Sequence, residues 1–324
     1  MIDDADRARI AEGYRAFTRD AAEQSPAYSA LSAAVAEDSD VLRFLAALPS
    51  GKRHPPLFFA SLRSLGGVPA DGAELRERVA AEGERLRATM LTRATQTNEA
   101  ARCAALLPAL AMVDGPLALV EVGTSAGLCL YPDRYSYEYD GRPVGPRRPV
   151  HLRCTTNGDV PIPTRPPQVV ARIGIDLNPL DVTDPADLDW LRALIWPGPR
   201  EAERLQRLDA AAAVAAEEPP ALLTGDLVVR LPDALDLVPD GATPVVMHTA
   251  LLPYVGEARR KEFVERVRGL PGRWLAQEGA GMVPGTGKPF PGGWGPYFVL
   301  SLDGRPLAHT APHGSRIDWL PERG

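Results

Sequence analysis

The feature that most constrains this 324-residue chain is a short apolar run, Leu117-Ala118-Leu119-Val120-Glu121-Val122. It follows the turn Asp114-Gly115-Pro116 and leads directly into Gly123-Thr124-Ser125-Ala126-Gly127. A run this short, without polar alternation, is the pattern of a strand covered on both faces, as in a parallel sheet. Comparable runs recur at 169–175, 221–223, 244–247 and 273–276, and helix-compatible stretches at 186–195, 200–216 and 257–268 separate most of them. Strands alternating with helices predict an α/β fold: a Rossmann-like, doubly wound, mostly parallel sheet over residues 114–324. The runs 297–302 and 306–309, joined by Asp303-Gly304, predict an antiparallel hairpin at the sheet edge.

Residues 1–113 have a different texture. Apolar residues recur at three- and four-residue spacing in Ile10, Tyr14 and Phe17, in Leu31 and Val35, and in Leu42, Leu45 and Leu48. A charged run over 73–94 extends the pattern, so this third is expected to be a helical cap domain. Asn98 is placed to cap a further helix through Leu106, Leu107 and Leu110, which Pro108 should kink. Two segments break the α/β rhythm. Residues 131–167, rich in Tyr, Pro and Arg, predict an irregular or hairpin insertion, and 281–295, with six glycines and three prolines, predict a loop where a substrate lid would serve.

Composition narrows the function. A net charge of −6 argues against nucleic acid as a partner, since neutralising phosphates needs a concentrated basic surface. No apolar stretch approaches the roughly 20 residues that cross a bilayer, and Met1-Ile2-Asp3-Asp4 is acidic where a secretion signal is basic, so no membrane partner and a cytoplasmic location are expected. Cys103, Cys129 and Cys154 are odd in number and lack CxxC spacing, which predicts reduced, buried thiols and no cysteine metal site. His309 and His313 are four apart, but Pro312 opposes the helix that would aim both at one metal. Gly285-Thr286-Gly287-Lys288 is not a phosphate loop, because Met282 stands where glycine is required and Pro289 follows the lysine.

The candidate site is an ordered set of three stretches. Glu121, Gly123, Ser125 and Gly127 surround the turn after the first strand, where small residues let backbone approach a ligand and amides at a helix start would face an anion. Asp176 closes the next strand, as does an acid that accepts ribose hydroxyls, and the gap of 55 from Glu121 shrinks to 18 without the insertion. Asp226, in Thr224-Gly225-Asp226, follows the third strand within reach of an adenine amino group. Taken singly, an Asp in either position more commonly caps a helix or turn. Together these residues resemble the class I S-adenosylmethionine-dependent methyltransferases over roughly 114–324, although Ser125 stands where that family has a middle glycine. The whole chain is also similar to the bacterial DUF2332 family, through Thr95-Gln96-Thr97-Asn98-Glu99, Arg102-Cys103, the glycine loop, Asp176-Leu177-Asn178-Pro179-Leu180-Asp181 and Glu278-Gly279.

The resemblance implies S-adenosylmethionine as cofactor and methyl transfer to a small molecule. The expected general base is His248, with Thr249, Tyr254 and Glu278 orienting the acceptor. An alternative keeps the fold but discards the cofactor, giving a biosynthetic displacement or elimination enzyme or a ligand-binding protein. A further one reads Gly123-Thr124-Ser125-Ala126-Gly127 as the elbow of a serine hydrolase, with Ser125 as nucleophile and His309 or His313 as base. The cluster at Tyr131, Tyr135, Tyr137 and Tyr139 would either stack on a substrate or pack over the sheet.

Overall fold

The computed structural model describes residues 4–96, 98–287 and 297–321. They form two compact units, one from 4–96 with 184–208, the other from 98–183 with 209–287 and 297–321.

The first unit carries no strand among its described residues. Its helices are α1 (Asp4–Ala21), α2 (Pro26–Glu37), α3 (Ser39–Ala46), α4 (Pro55–Gly66), α5 (Gly72–Thr92), α7 (Pro185–Ala193) and the first half of α8 (Glu201–Glu217). Their starts follow local chemistry: Ser25, Asp38 and Asp71 each accept backbone N–H groups of the first turn that follows. The core is aromatic, with Tyr28 stacked on Phe59 at 4.7 Å and Phe17 edge-on to Trp196 at 5.0 Å. Arg63 binds Glu201 at 2.6 Å and Arg93 pairs with Asp187, tying residues 184–208 to the earlier helices. The contacts divide the chain at 97/98, 183/184 and 208/209.

The second unit is built on one mixed sheet. Its strands are β1 (Leu117–Val122), β2 (Ser136–Tyr139), β3 (Arg142–Val144), β4 (His151–Asn157), β5 (Val169–Asp176), β6 (Ala221–Thr224), β7 (Thr243–Thr249), β8 (Arg273–Gly279), β9 (Phe298–Leu302), β10 (Arg305–Thr310) and β11 (Arg316–Trp319). They lie in the order β3-β2-β4-β11-β10-β9-β8-β7-β1-β5-β6. The block β8-β7-β1-β5-β6 is parallel, so its five carboxyl ends share one rim. Every residue of β1 is buried, as its unbroken apolar run requires. One face of the block packs its core on α9 (Leu227–Leu235) and α10 (Glu257–Arg268), and α6 (Arg102–Leu110) contacts β4, β8 and β9 with all nine of its residues buried.

Both α6 and α9 hold an internal proline, and each helix continues through it. Pro108 has no N–H for the carbonyl of Ala104, and the Tyr139 hydroxyl donates to that oxygen at 2.7 Å. Pro232 likewise leaves the Val228 carbonyl, which accepts from Arg266 Nη1 at 2.9 Å. Side chains distant in sequence thus replace the two missing donors.

Four expectations change. The sheet has eleven strands, not seven, because the 131–167 insertion supplies β2, β3 and β4, and β11 adds another. The β9/β10 hairpin is antiparallel as predicted but internal to the sheet, since β11 and the insertion strands continue past it. No α-helix follows β1; the glycine turn passes into a single 3-10 turn at Leu128–Leu130. Asn98 does not cap α6, whose cap position is Ala101.

Candidate functional site

Strand alternation sorts the rim into two sides. Val120, Val122, Ile173, Ile175, Val246, Trp274 and Ala276 share the core beneath α9 and α10. Glu121, Gly174, Asp176, Thr249 and Gln277 alternate with them and face the other way.

The turn 123–128 is held almost entirely by its own amides. Gly123 and Thr124 N–H donate to the Ile175 carbonyl at 2.8 and 3.2 Å, and Gly127 N–H to the Thr124 carbonyl at 2.8 Å. Ser125 N–H donates to Asp176 Oδ2 at 2.8 Å, and Leu128 N–H to Asn98 Oδ1 at 2.7 Å. Asn98 closes the clamp by donating from Nδ2 to the Thr124 carbonyl at 3.1 Å. These five amides already have protein acceptors, and no helix N-terminus lies behind them, so the turn is not the anion cradle its sequence suggests. Gly123 serves packing instead: at φ +73° a side chain would be strained, and a Cβ there would come 2.6 Å from Leu251 Cδ1. Ser125, at φ 53°, occupies the left-handed region without being glycine.

Glu121 and Arg102 are the buried charged groups beside this turn, 2 and 6 % exposed. Glu121 Oε2 accepts from Thr124 Oγ1 at 2.8 Å. Burial pushes its carboxyl up to about 8, the Asp176 charge adds to the rise, and the Thr124 bond and the Arg102 charge oppose it. Arg102 donates from Nε to the Pro312 carbonyl at 3.1 Å and from Nη1 to Thr249 Oγ1 at 3.0 Å. These bonds leave Nη2 for another acceptor. The sequence offered Asn98 only a helix cap and Arg102 only a place among the family motifs; the signal for both was the polar cluster Asn98-Glu99 and Arg102 heading an otherwise apolar helix.

Asp176 and Asp226 lie at adjacent strand ends, where Asp176 is in register with Thr224 and its carbonyl accepts Gly225 N–H at 2.8 Å. Asp176 also accepts Asn178 N–H at 2.9 Å. Asp226 caps α9 through Val228 and Val229 and pairs with Arg259. The Arg259 bonds, with the two amides, hold its carboxyl below the usual range. The residues flanking these acids are unusually open for apolar side chains: Leu177 is 75 % exposed and Val229 59 %.

Of the four proposed catalytic residues, His248 and Glu278 meet, while Thr249 faces the other side of the sheet. His248, fully buried, has Nδ1 2.7 Å from Glu278 Oε1, and its Nε2 accepts from Trp274 Nε1 at 3.0 Å. Trp can only donate, so Nδ1 carries the ring hydrogen and neither nitrogen remains for a substrate. Phe263 of α10 stands edge-on to the ring at 5.5 Å. Glu278 accepts from His248 and from the amides of Leu251 and Leu252 at 2.9 and 3.3 Å. Thr249, one residue on, points to the Arg102 side, and Tyr254 is 67 % exposed after β7.

The remaining motifs resolve as packing. Tyr131, Tyr135, Tyr137 and Tyr139 are buried, and their hydroxyls donate to the carbonyls of Glu218, Leu128, Pro132 and Ala104. His309 sits in β10, four strand positions from the β1 that carries the Ser125 turn. The turn holding His313 comes to the rim, since Pro312 accepts from Arg102 and a Cβ on Gly314 would meet the Ala101 carbonyl at 2.0 Å. All three cysteines are buried with free thiols. Of the expected lid, 281–287 form packed turns around the buried Val283, and 288–295, with Lys288 of the phosphate-loop-like stretch, lie outside the described residues.

A family model described as "Uncharacterized protein conserved in bacteria (DUF2332)" matches residues 11–319. The chain belongs to the DUF2332 family. None of the curated proteins matches it. In this member, the quoted motifs Asn98 to Cys103, the 121–127 turn and Asp176 onward meet around one rim, and Glu278 anchors the loop that packs on Gly123.

Proposed function

We propose that the sheet unit, read as Rossmann-like, binds S-adenosylmethionine along the rim of β7, β1, β5 and β6 and transfers its methyl group to a small molecule. The observation that supports this most is the double link from Asp176 to the Ser125 and Gly225 amides, which draws three distant stretches to neighbouring strand ends. The chain also leaves β1 toward β5 on one side and later returns to β7 on the other, and such a reversal is where open α/β sheets take ligands.

The side chains present suit an adenosine bearing an amino-acid tail. Asp176 would hold ribose hydroxyls, Leu177 and Val229 offer apolar surface to a purine face, and Asp226 stands near its amino group. Arg102 Nη2 would meet the tail carboxylate and Glu121 the ammonium, while Gly123, Ser125 and Gly127 shape the floor. When bound, the cofactor supplies an electrophilic methyl group. The chain's own part is to align the acceptor and take its proton. Thr249 and Tyr254 remain placed to orient an acceptor. The general-base role falls to His313, the imidazole in the turn that Arg102 holds at the rim, in place of His248.

Isothermal titration with S-adenosylmethionine and S-adenosylhomocysteine tests the reading: wild type binds both, and Asp176→Ala weakens both at least about tenfold, the scale of one lost charge-assisted hydrogen bond. Absence of binding to either compound sinks it. The occupied amides of the 123–128 turn favour a second reading, a small-molecule-binding protein or cofactor-independent displacement or elimination enzyme on the same fold.

A further inference from the structure

A cavity of about 160 Å³ opens beside Trp274 near the amino end of β8, away from the strand ends that carry Glu121. Val246, Val267, Leu270 and Trp274 give it apolar walls, and Arg268 and Asp303 reach its lining. Its size is that of a void of about 150 Å³ able to take benzene. Asp303 is already matched, accepting Arg273 Nε at 2.7 Å and Trp274 N–H at 2.8 Å. Arg268 is not: its guanidinium lies 5.9 Å from the Trp274 ring centroid, with no carboxylate in ion-pair reach among the described residues. A slot with apolar inner walls, a polar mouth and one unmatched guanidinium suits a flat, singly anionic molecule.

We infer that this cavity binds a small aromatic carboxylate of the benzoate type, its ring among Val246, Val267 and Leu270 and its carboxylate on Arg268. The site does not depend on the methyl-transfer reading, and its wall is linked to the rim. The Trp274 indole N–H donates to His248, His248 to Glu278, and Glu278 holds the amides of Leu251 and Leu252, with the Leu251 side chain packed against Gly123. An occupant touching Trp274 therefore touches the first member of a buried hydrogen-bonded chain that ends beside the glycine turn.

Calorimetric titration of the full chain with benzoate, its neutral isostere benzamide and the cation benzylamine tests the inference. Benzoate should bind tightest and benzylamine weakest. Arg268→Gln, a change on an exposed side chain, should weaken benzoate at least about tenfold and bring it level with benzamide. Leu270→Trp, which fills the slot, should abolish binding of all three. In nitrogen-15 spectra, the indole N–H resonance assigned by its loss in Trp274→Phe should shift as benzoate binds. Failure of wild type to bind millimolar benzoate, equal affinity for benzoate and benzamide, or undiminished benzoate binding by Arg268→Gln overturns the inference.

Discussion

Glu121 and Glu278 stand near the carboxyl ends of strands in one parallel block, 2 and 1 % exposed, on opposite faces of the sheet. Their surroundings differ in donor supply. Glu278 receives three N–H groups, from His248, Leu251 and Leu252, and so acts as a bracket for the β7 loop. Glu121 receives the Thr124 hydroxyl, and its carboxyl is pushed up to about 8. A buried acid surrounded by donors is scaffold; one left short of them keeps a proton near neutrality and is available for recognition or proton transfer.

The largest effect expected is at the bracket. Glu278→Ala leaves His248 Nδ1–H and two amides without an acceptor in a site closed to water, and each orphaned donor costs about 1–3 kcal/mol. A loss of about 3 kcal/mol or more should appear as a lower urea midpoint. A change below about 1 kcal/mol would show that water or rearrangement replaces the carboxylate, and the contrast with Glu121 would dissolve.

Glu121 should behave in the opposite sense. Burial pushes its folded carboxyl up to about 8 from the ordinary 4.5, so the folded state holds a proton that the unfolded chain has released across that window. Its contribution to stability is complete below about pH 4.5 and is lost as pH rises through about 8, at no more than about 1.4 kcal/mol per pH unit. Glu121→Gln stays neutral throughout. It should match wild type near pH 4.5 and exceed it by a few kcal/mol at pH 8. Urea unfolding at the two pH values checks this, and parallel curves would mean that Glu121 ionises as freely as an exposed acid.

The sequence made this sheet easier to read than its site. Apolar-rich runs at 117–122, 169–175 and 244–247 identify strands because they lack the polar alternation of a half-exposed strand, and β1, β5 and β7 follow; Glu121 and Arg172 interrupt two of them as buried charged groups. The insertion was legible as a hairpin, which β2 and β3 form, but its joining the main sheet was not, because β4 pairs with β11 from the far end of the chain. For the site, His248 and Thr249 looked like neighbours with one task, yet adjacent residues on a strand face opposite ways. That geometry was available from periodicity. The partners that decide each role, Trp274 for His248 and Arg102 for Thr249, lie 26 and 147 residues away and were not.

The two faces differ again, more gently, in how they tolerate proline. Tyr139 is buried, so Tyr139→Phe leaves the Ala104 carbonyl with neither protein donor nor ready water, at a cost of about 1–3 kcal/mol. Arg266 reaches Val228 from an exposed side chain, and Arg266→Met should cost under about 1 kcal/mol because solvent can supply the donor. Pro108→Ala isolates the cause. Adding back the residue 108 N–H gives Ala104 its ordinary helical donor, so Tyr139→Phe should cost clearly less in that background than in wild type, the difference being the coupling energy of a double-mutant cycle. Equal costs in both backgrounds would mean that Tyr139 acts through the packing of its ring and that the proline in α6 needs no substitute donor.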